Sequence, residues 1–268
     1  MRSFVRSALA LHRPLVCLFP LVSLCLAASG VAVGAEATVA VAANFSEAAK
    51  RLVQRFESAS GHRVRLVSGS TGKLFAQIVN SAPFDVFLAA DTATPSVLVE
   101  RGFGIGESQF TYALGRLVLW SADPQLLQGD GAAILRQERF RTLAIANPEL
   151  APYGLAARQT LAHLGLWRRL ASRIARGENV GQAHTLVATG NAELGFVARS
   201  FLSAEQASSP VLGSRWDVPA YMHDPIRQDA VLTAYGKTNA AAFEFLAFVR
   251  SAAAGRIIHS FGYAAERP

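Results

Sequence analysis

Beyond its first 35 residues the chain has no cysteine: the only two of its 268 residues, Cys17 and Cys25, both lie near the start. That excludes disulfides, thiolate nucleophiles and sulfur-ligated metals from the rest of the chain. Metal-ligand spacing is missing as well. The six histidines, His12, His62, His163, His184, His223 and His259, form no His-Glu-x-x-His or comparable pattern, so neither a metal-cation site nor a cofactor is expected. There is no Gly-x-Ser-x-Gly nucleophile elbow, no internal repeat and no low-complexity stretch. Charged residues make up only 17% and show no basic cluster beyond Arg168, Arg169, Arg173 and Arg176. Those four fit the solvated face of a helix, so nucleic acid is not an expected partner.

What is present begins with Arg2, Arg6 and Arg13 ahead of the apolar run Leu15 to Ala28, followed by Val33-Gly34-Ala35. Basic residues, a short apolar stretch and a small-x-small ending predict a cleavable secretory signal over residues 1–35, cut after Ala35. The run is too short for a membrane anchor and is interrupted by Pro20, and no later run is long enough to span a bilayer. Three of the 26 Lys+Arg and none of the 19 Asp+Glu fall in this segment, so removing it lowers the formal charge from +7 to +4. An exported, soluble protein with a periplasmic address is expected.

The remaining chain alternates strand and helix patterns. Thr38 to Ala42 is wholly apolar beyond its first residue, a strand buried on both faces. Phe45, Ala48, Ala49, Leu52, Val53 and Phe56 then recur at helical spacing. Asn44, with Glu47 three residues on, predicts a capping-box helix start between the two patterns. The same succession recurs at Arg63–Ser68 with Gly69-Ser70-Thr71-Gly72, at Thr142–Ala146 with Pro152-Tyr153-Gly154, and ahead of the helix opened by Asn179-Val180-Gly181. Phe84 to Ala90 and Leu194 to Ala198 read as further strands, and Tyr112–Trp120 as one long strand carrying the chain into a second lobe. Val231–Ala234 reads as a strand returning from it, and 204–213 as a surface loop.

This alternation predicts an α/β fold of two lobes with mainly parallel sheets and a ligand cleft between them. Lobe I is assigned residues 36–115 and 225–268, and lobe II residues 116–224. In such sheets ligands sit beyond the carboxyl ends of the strands. Two facing lobes therefore gather Asn44, Ser70-Thr71, Pro152-Tyr153-Gly154 and Val180-Gly181. These offer main-chain N–H groups, hydroxyls, an amide and a phenol, but no lysine, arginine or carboxylate. Lys73, the nearest charge, reads as a solvated side chain. A cavity of donors suits a small, fully deprotonated oxyanion and is poor for hydrogen phosphate, whose proton needs an acceptor.

Five segments carry a resemblance: Val41-Ala-Ala-Asn-Phe45, Ser68-Gly-Ser-Thr-Gly72, Phe84-Asp-Val-Phe-Leu-Ala-Ala-Asp91, Asn147-Pro-Glu-Leu-Ala-Pro-Tyr-Gly154 and Asn179-Val-Gly-Gln-Ala183. Together, in order and spacing, they resemble the periplasmic molybdate-binding proteins of ABC importers over about residues 38–263. The resemblance implies a class II periplasmic-binding-protein fold. It also implies capture of molybdate or tungstate, and delivery to the membrane permease subunits of the importer by a monomer binding one ion. Its ligand positions fall on Ala43, Asn44, Thr71, Tyr153 and Val180, with Ala43 and Val180 limited to main-chain N–H groups. Three positions depart from the usual pattern: Ala43 where a hydroxyl is common, Thr71 where serine is usual, and Ala198 where one subgroup has a tyrosine that Tyr153 replaces here. Two other readings stay open, a binding protein for sulfate, thiosulfate or another tetrahedral anion, and a secreted α/β hydrolase with Ser70 or Thr71 as nucleophile. The second would need a general base that the sequence does not place.

Overall fold

The computed structural model describes residues 34–203 and 213–264. The expected signal over 1–35 lies outside them except for Gly34 and Ala35, and so does all but the last residue of the expected loop at 204–213. Ala35 is held to the fold: its N–H donates to His62 Nδ1 (3.0 Å), and its carbonyl accepts from the Arg63 N–H (2.9 Å).

The first strand, β1 (Glu36–Ala42), is buried from Ala37 onward and leads through a 3-10 turn, Ala43–Phe45, into α1 (Ser46–Ser60). Strand β2 (Arg63–Gly69), helix α2 (Thr71–Val79), strand β3 (Val86–Leu88), helix α3 (Ala93–Glu100) and strand β4 (Phe110–Gly115) follow. Then β5 (Leu117–Ser121), α4 (Gly131–Gln137), β6 (Leu143–Ala146), α5 (Pro152–His163), β7 (Ile174–Gly177), α6 (Val180–Ala188), β8 (Leu194–Ala198) and β9 (Ser214–Asp217) make a second set. Strand β10 (Ile226–Leu232) and helices α7 (Ala240–Val249) and α8 (Ala252–Ser260) complete the described fold.

The strands form two five-stranded sheets, β2-β1-β3-β10-β4 and β7-β6-β8-β5-β9. In each, three neighbouring strands are parallel (β2-β1-β3 and β7-β6-β8), and the two strands completing the sheet pair antiparallel. The antiparallel halves are made by the strands that pass between sheets. The stretch read as one strand, Tyr112–Trp120, is two: β4 ends at Gly115 in the first sheet and β5 begins at Leu117 in the second. The chain returns between β9 and β10.

Both sheets are covered on both faces, which is why their central strands carry almost no polar residues. On the first, Val39 and Val41 pack with Phe45, Leu52, Phe56 and Phe245, while Ala40 faces the other way, toward Leu74, Phe87 and Leu98. The second packs Leu119, Leu135, Leu161 and Phe196 on one face and Trp120, Ala183, Val187 and Val197 on the other. Helix α1 ends where Gly61 adopts φ +75°, a left-handed conformation that suits glycine.

One local expectation is corrected. Asn44 does not cap α1, and no capping box forms with Glu47. Asn44 lies inside the 3-10 turn, the helix starts at Ser46, and Glu47 pairs with Lys50 (2.7 Å) instead. Two of the arginines read as a solvated face, Arg169 and Arg173, bond to Glu138.

Candidate functional site

Register places the site. Ala42 ends β1 opposite Gly69 of β2, so the Ala43–Phe45 turn and the Ser70-Thr71 helix start leave the first sheet side by side. In the second sheet Ala146 is paired with Gly177, so the segment leading to Pro152-Tyr153 and the Asn179-Val180 start also leave together. The four segments meet in one cavity formed by residues 42–44, 69–71, 151–153 and 179–180, with Ala90. Ala43, Asn44, Thr71, Tyr153 and Val180, the five positions singled out in the sequence, all line it. None of the lining residues is Asp, Glu, His, Lys or Arg. The volume, ≈ 10 Å³, is about the least that holds one water molecule.

Each wall residue is fixed differently. The Thr71 hydroxyl accepts from the Ala90 N–H (3.0 Å), so its oxygen is pinned while its proton stays available. Val180 is the first residue of α6, whose N-cap Asn179 accepts from the Gln182 N–H (3.1 Å). Main-chain N–H groups in a first helical turn have no partner within the helix, and with the helix dipole they favour an anion. Tyr153 follows Pro152 at the start of α5, where the missing proline N–H costs little, and its side chain is buried.

Asn44 contributes differently from a free amide donor. Its Nδ2 donates to Gln228 Oε1 (2.8 Å) and to the Tyr263 hydroxyl (3.1 Å), which occupies both amide hydrogens. Its main-chain carbonyl accepts from the Tyr263 hydroxyl (2.6 Å) and from the Ser200 hydroxyl of the second lobe (2.9 Å). Asn44 also carries a main-chain N–H within a 3-10 turn, where the first N–H groups have no partner inside the turn.

The same network reaches Tyr153. Gln228 Oε1 faces Asn44 Nδ2 and the Tyr112 hydroxyl (3.2 Å), which leaves Nε2 facing the Tyr153 oxygen, at 3.5 Å. The Tyr153 hydroxyl thus lies beside the side chains of both Gln228 and Asn44. Burial pushes the Tyr153, Tyr112 and Tyr263 phenols above the usual range, so each stays protonated. Gln228, Tyr263 and Ser200 carry no local sequence signal for this role; they are distant in the chain and meet Asn44 only through the fold.

The two lobes touch directly around the cavity. The Gly72 N–H donates to the Leu150 carbonyl (2.9 Å), and Lys73 Nζ pairs with Glu178 (2.7 Å). Lys73 is solvated, as expected, and is also an ion-pair partner across the lobes. A larger cavity, ≈ 520 Å³, lies at the crossing strands beside Arg116, Arg199, Asp217 and His223. Arg199 there is already paired with Asp217.

Comparison with known proteins agrees across sequence and structure. Residues 37–264 match the family model described as bacterial extracellular solute-binding protein. The chain is 47% identical to the molybdate-binding protein ModA of Azotobacter vinelandii, over 85% of this chain and 90% of that one. It is 41% identical to ModA of Rhodobacter capsulatus, over 88% and 90%. The solved structure of the Azotobacter vinelandii periplasmic molybdate-binding protein superposes with a TM-score of 0.82 at 42% identity, over 86% of this chain and all of that one.

Proposed function

This chain belongs to the bacterial extracellular solute-binding protein family, and we propose that within it the protein captures molybdate, and tungstate, for an ABC importer. It binds without catalysing a reaction. The ion sits in the cavity between lobes, taking main-chain N–H groups from Ala43, Asn44 and Val180 and hydroxyl protons from Thr71 and Tyr153. No resident cofactor or metal cation takes part, because the metal arrives as the centre of the oxyanion. The protein acts as a monomer in the periplasm, exported by a signal ending near Ala35, and its closed form docks on the permease.

One observation carries this reading: four chain turns converge on a cavity whose lining includes no charged side chain and whose phenol stays protonated. Fixed dipoles in a water-poor site suit a dianion without an opposing cation. Hydrogen phosphate fits poorly, since its proton would meet donors, and a buried donor facing a donor leaves both unpaired. Sulfate carries no proton, so it is refused by size, donors fixed for a larger tetrahedron reaching a smaller one poorly.

Calorimetric titration of ligand-free protein with molybdate, tungstate, sulfate and phosphate tests this. Tight one-to-one binding of the first two, with none of the last two, is the expected result. Preferential binding of sulfate or phosphate would overturn the cargo while leaving the family in place.

A further inference from the structure

We propose that Ser70 is a ligand of the anion, its hydroxyl adding a side-chain donor from the first lobe; this rests on the oxyanion reading above. Ser70 is the N-cap of α2, yet its side chain makes no capping bond. Asp130, Asn179, Asn239 and Ser251, N-caps of other helices here, each accept from a first-turn N–H. An N-cap serine bonds the second or third N–H of its helix. In α2 the second belongs to Gly72, and that N–H donates across the cleft to Leu150.

Ser70 Oγ is left buried with no hydrogen-bond partner, in a residue only 2% exposed that lines the cavity. Two other described side chains share that condition, Trp120 and Ser203, and neither lines it. A buried hydroxyl without a partner is costly, and the cost disappears when an acceptor fills the space it faces. Thr71 and Tyr153 each have an N–H directed at their oxygen, from Ala90 and Gln228. Ser70 has no such anchor, so its proton is unconstrained until an anion oxygen arrives.

The test compares the unsubstituted protein with Ser70→Ala and Ser70→Gly, reading molybdate affinity by calorimetry and the Tm of the ligand-free form. Glycine caps a helix nearly as well as serine, whereas alanine does not, so the pair separates ligation from capping. Loss of a hydrogen bond to an ion predicts a roughly ten- to hundredfold rise in Kd in both variants. A molybdate Kd within twofold of the parent in both would overturn the proposal, as would a loss confined to Ser70→Ala and matched by a fall in ligand-free Tm. If the unsubstituted protein itself bound no oxyanion, the functional reading would fail first and this one with it.

Discussion

The phenol oxygen of Tyr153 occupies the place a side chain on Gly115 would take: a Cβ there would stand 2.2 Å from that oxygen and 2.8 Å from Gln228 Nε2. Gly115 ends β4, where the chain leaves the first sheet, and Gln228 lies on β10, the strand by which it comes back. Tyr153 belongs to the second lobe. Its hydroxyl therefore rests against both crossing strands at once, so the group that faces the cavity also touches the segments that must bend when the lobes part.

Tyr153→Phe should remove one hydrogen bond to an ion while leaving the ring packed. By the usual range for such bonds the cost is about 1.5–3 kcal/mol of molybdate binding. Unchanged affinity in a folded variant would show that the phenol does not reach the ligand. Gly115→Ala should act on the same interaction from behind. The backbone there is not left-handed, so the phenol and the amide are the obstacles. A loss of affinity comparable to Tyr153→Phe, without further loss when the two are combined, would show that both changes act through one group.

Gly72 brings the two main chains close enough to hydrogen-bond. A Cβ on it would lie 3.1 Å from the Leu150 carbonyl oxygen and 3.3 Å from its Cα, which are backbone atoms and move only with the lobe. Gly72→Ala should therefore disfavour closure and leave the open form untouched. The expected result is an unchanged association rate and a dissociation rate higher by about fivefold, corresponding to roughly 1 kcal/mol for one net hydrogen bond. Stopped-flow displacement measures both; a change confined to association would contradict a role in holding the closed state.

Lys73 and Glu178 also join the lobes, yet they should matter less. Their side chains are 53% and 36% exposed, so solvent screens the pair, and such pairs contribute about 0–1 kcal/mol. Lys73→Met should weaken molybdate binding by no more than about fivefold at low salt and by less as ionic strength rises. A larger loss that persists in high salt would mean that Lys73 acts on the anion itself rather than on Glu178.

The residues explain how much of this was readable beforehand. β1 and α1 are visible because burial on both faces and a helical stripe leave local patterns. The five cavity positions follow strand ends, which the alternation of elements exposes. The role of Asn44 was hidden because its partners are Gln228, Tyr263 and Ser200, joined to it only by folding. Its place beside Glu47 resembles a capping box, but a 3-10 turn intervenes and Lys50 takes the carboxylate. The break at Gly115 was invisible for a related reason. Only Gly115 and Arg116 interrupt the apolar run, and the change of sheet partner, from β10 to β8 and β9, is what separates β4 from β5.

The cluster of buried phenols makes a prediction about alkaline stability. Tyr112, Tyr153 and Tyr263 are raised chiefly by burial, which disfavours the phenolate. In the unfolded chain the same groups ionise near pH 10. The folded state thus holds protons that the unfolded state has released once the pH passes that value, and stability must fall as pH rises. Below about pH 10 the contribution is fully present. Above it, each of the three phenols erodes the fold until the fold opens and they ionise together. Monitored by phenolate absorbance and circular dichroism in parallel, part of the tyrosine signal should appear only with loss of helical structure. Bound molybdate should move that component to higher pH by stabilising the closed form. Complete ionisation of all five tyrosines with the fold intact would mean that water reaches the network around Asn44 and Gln228, and that Tyr153 is not held as a fixed donor.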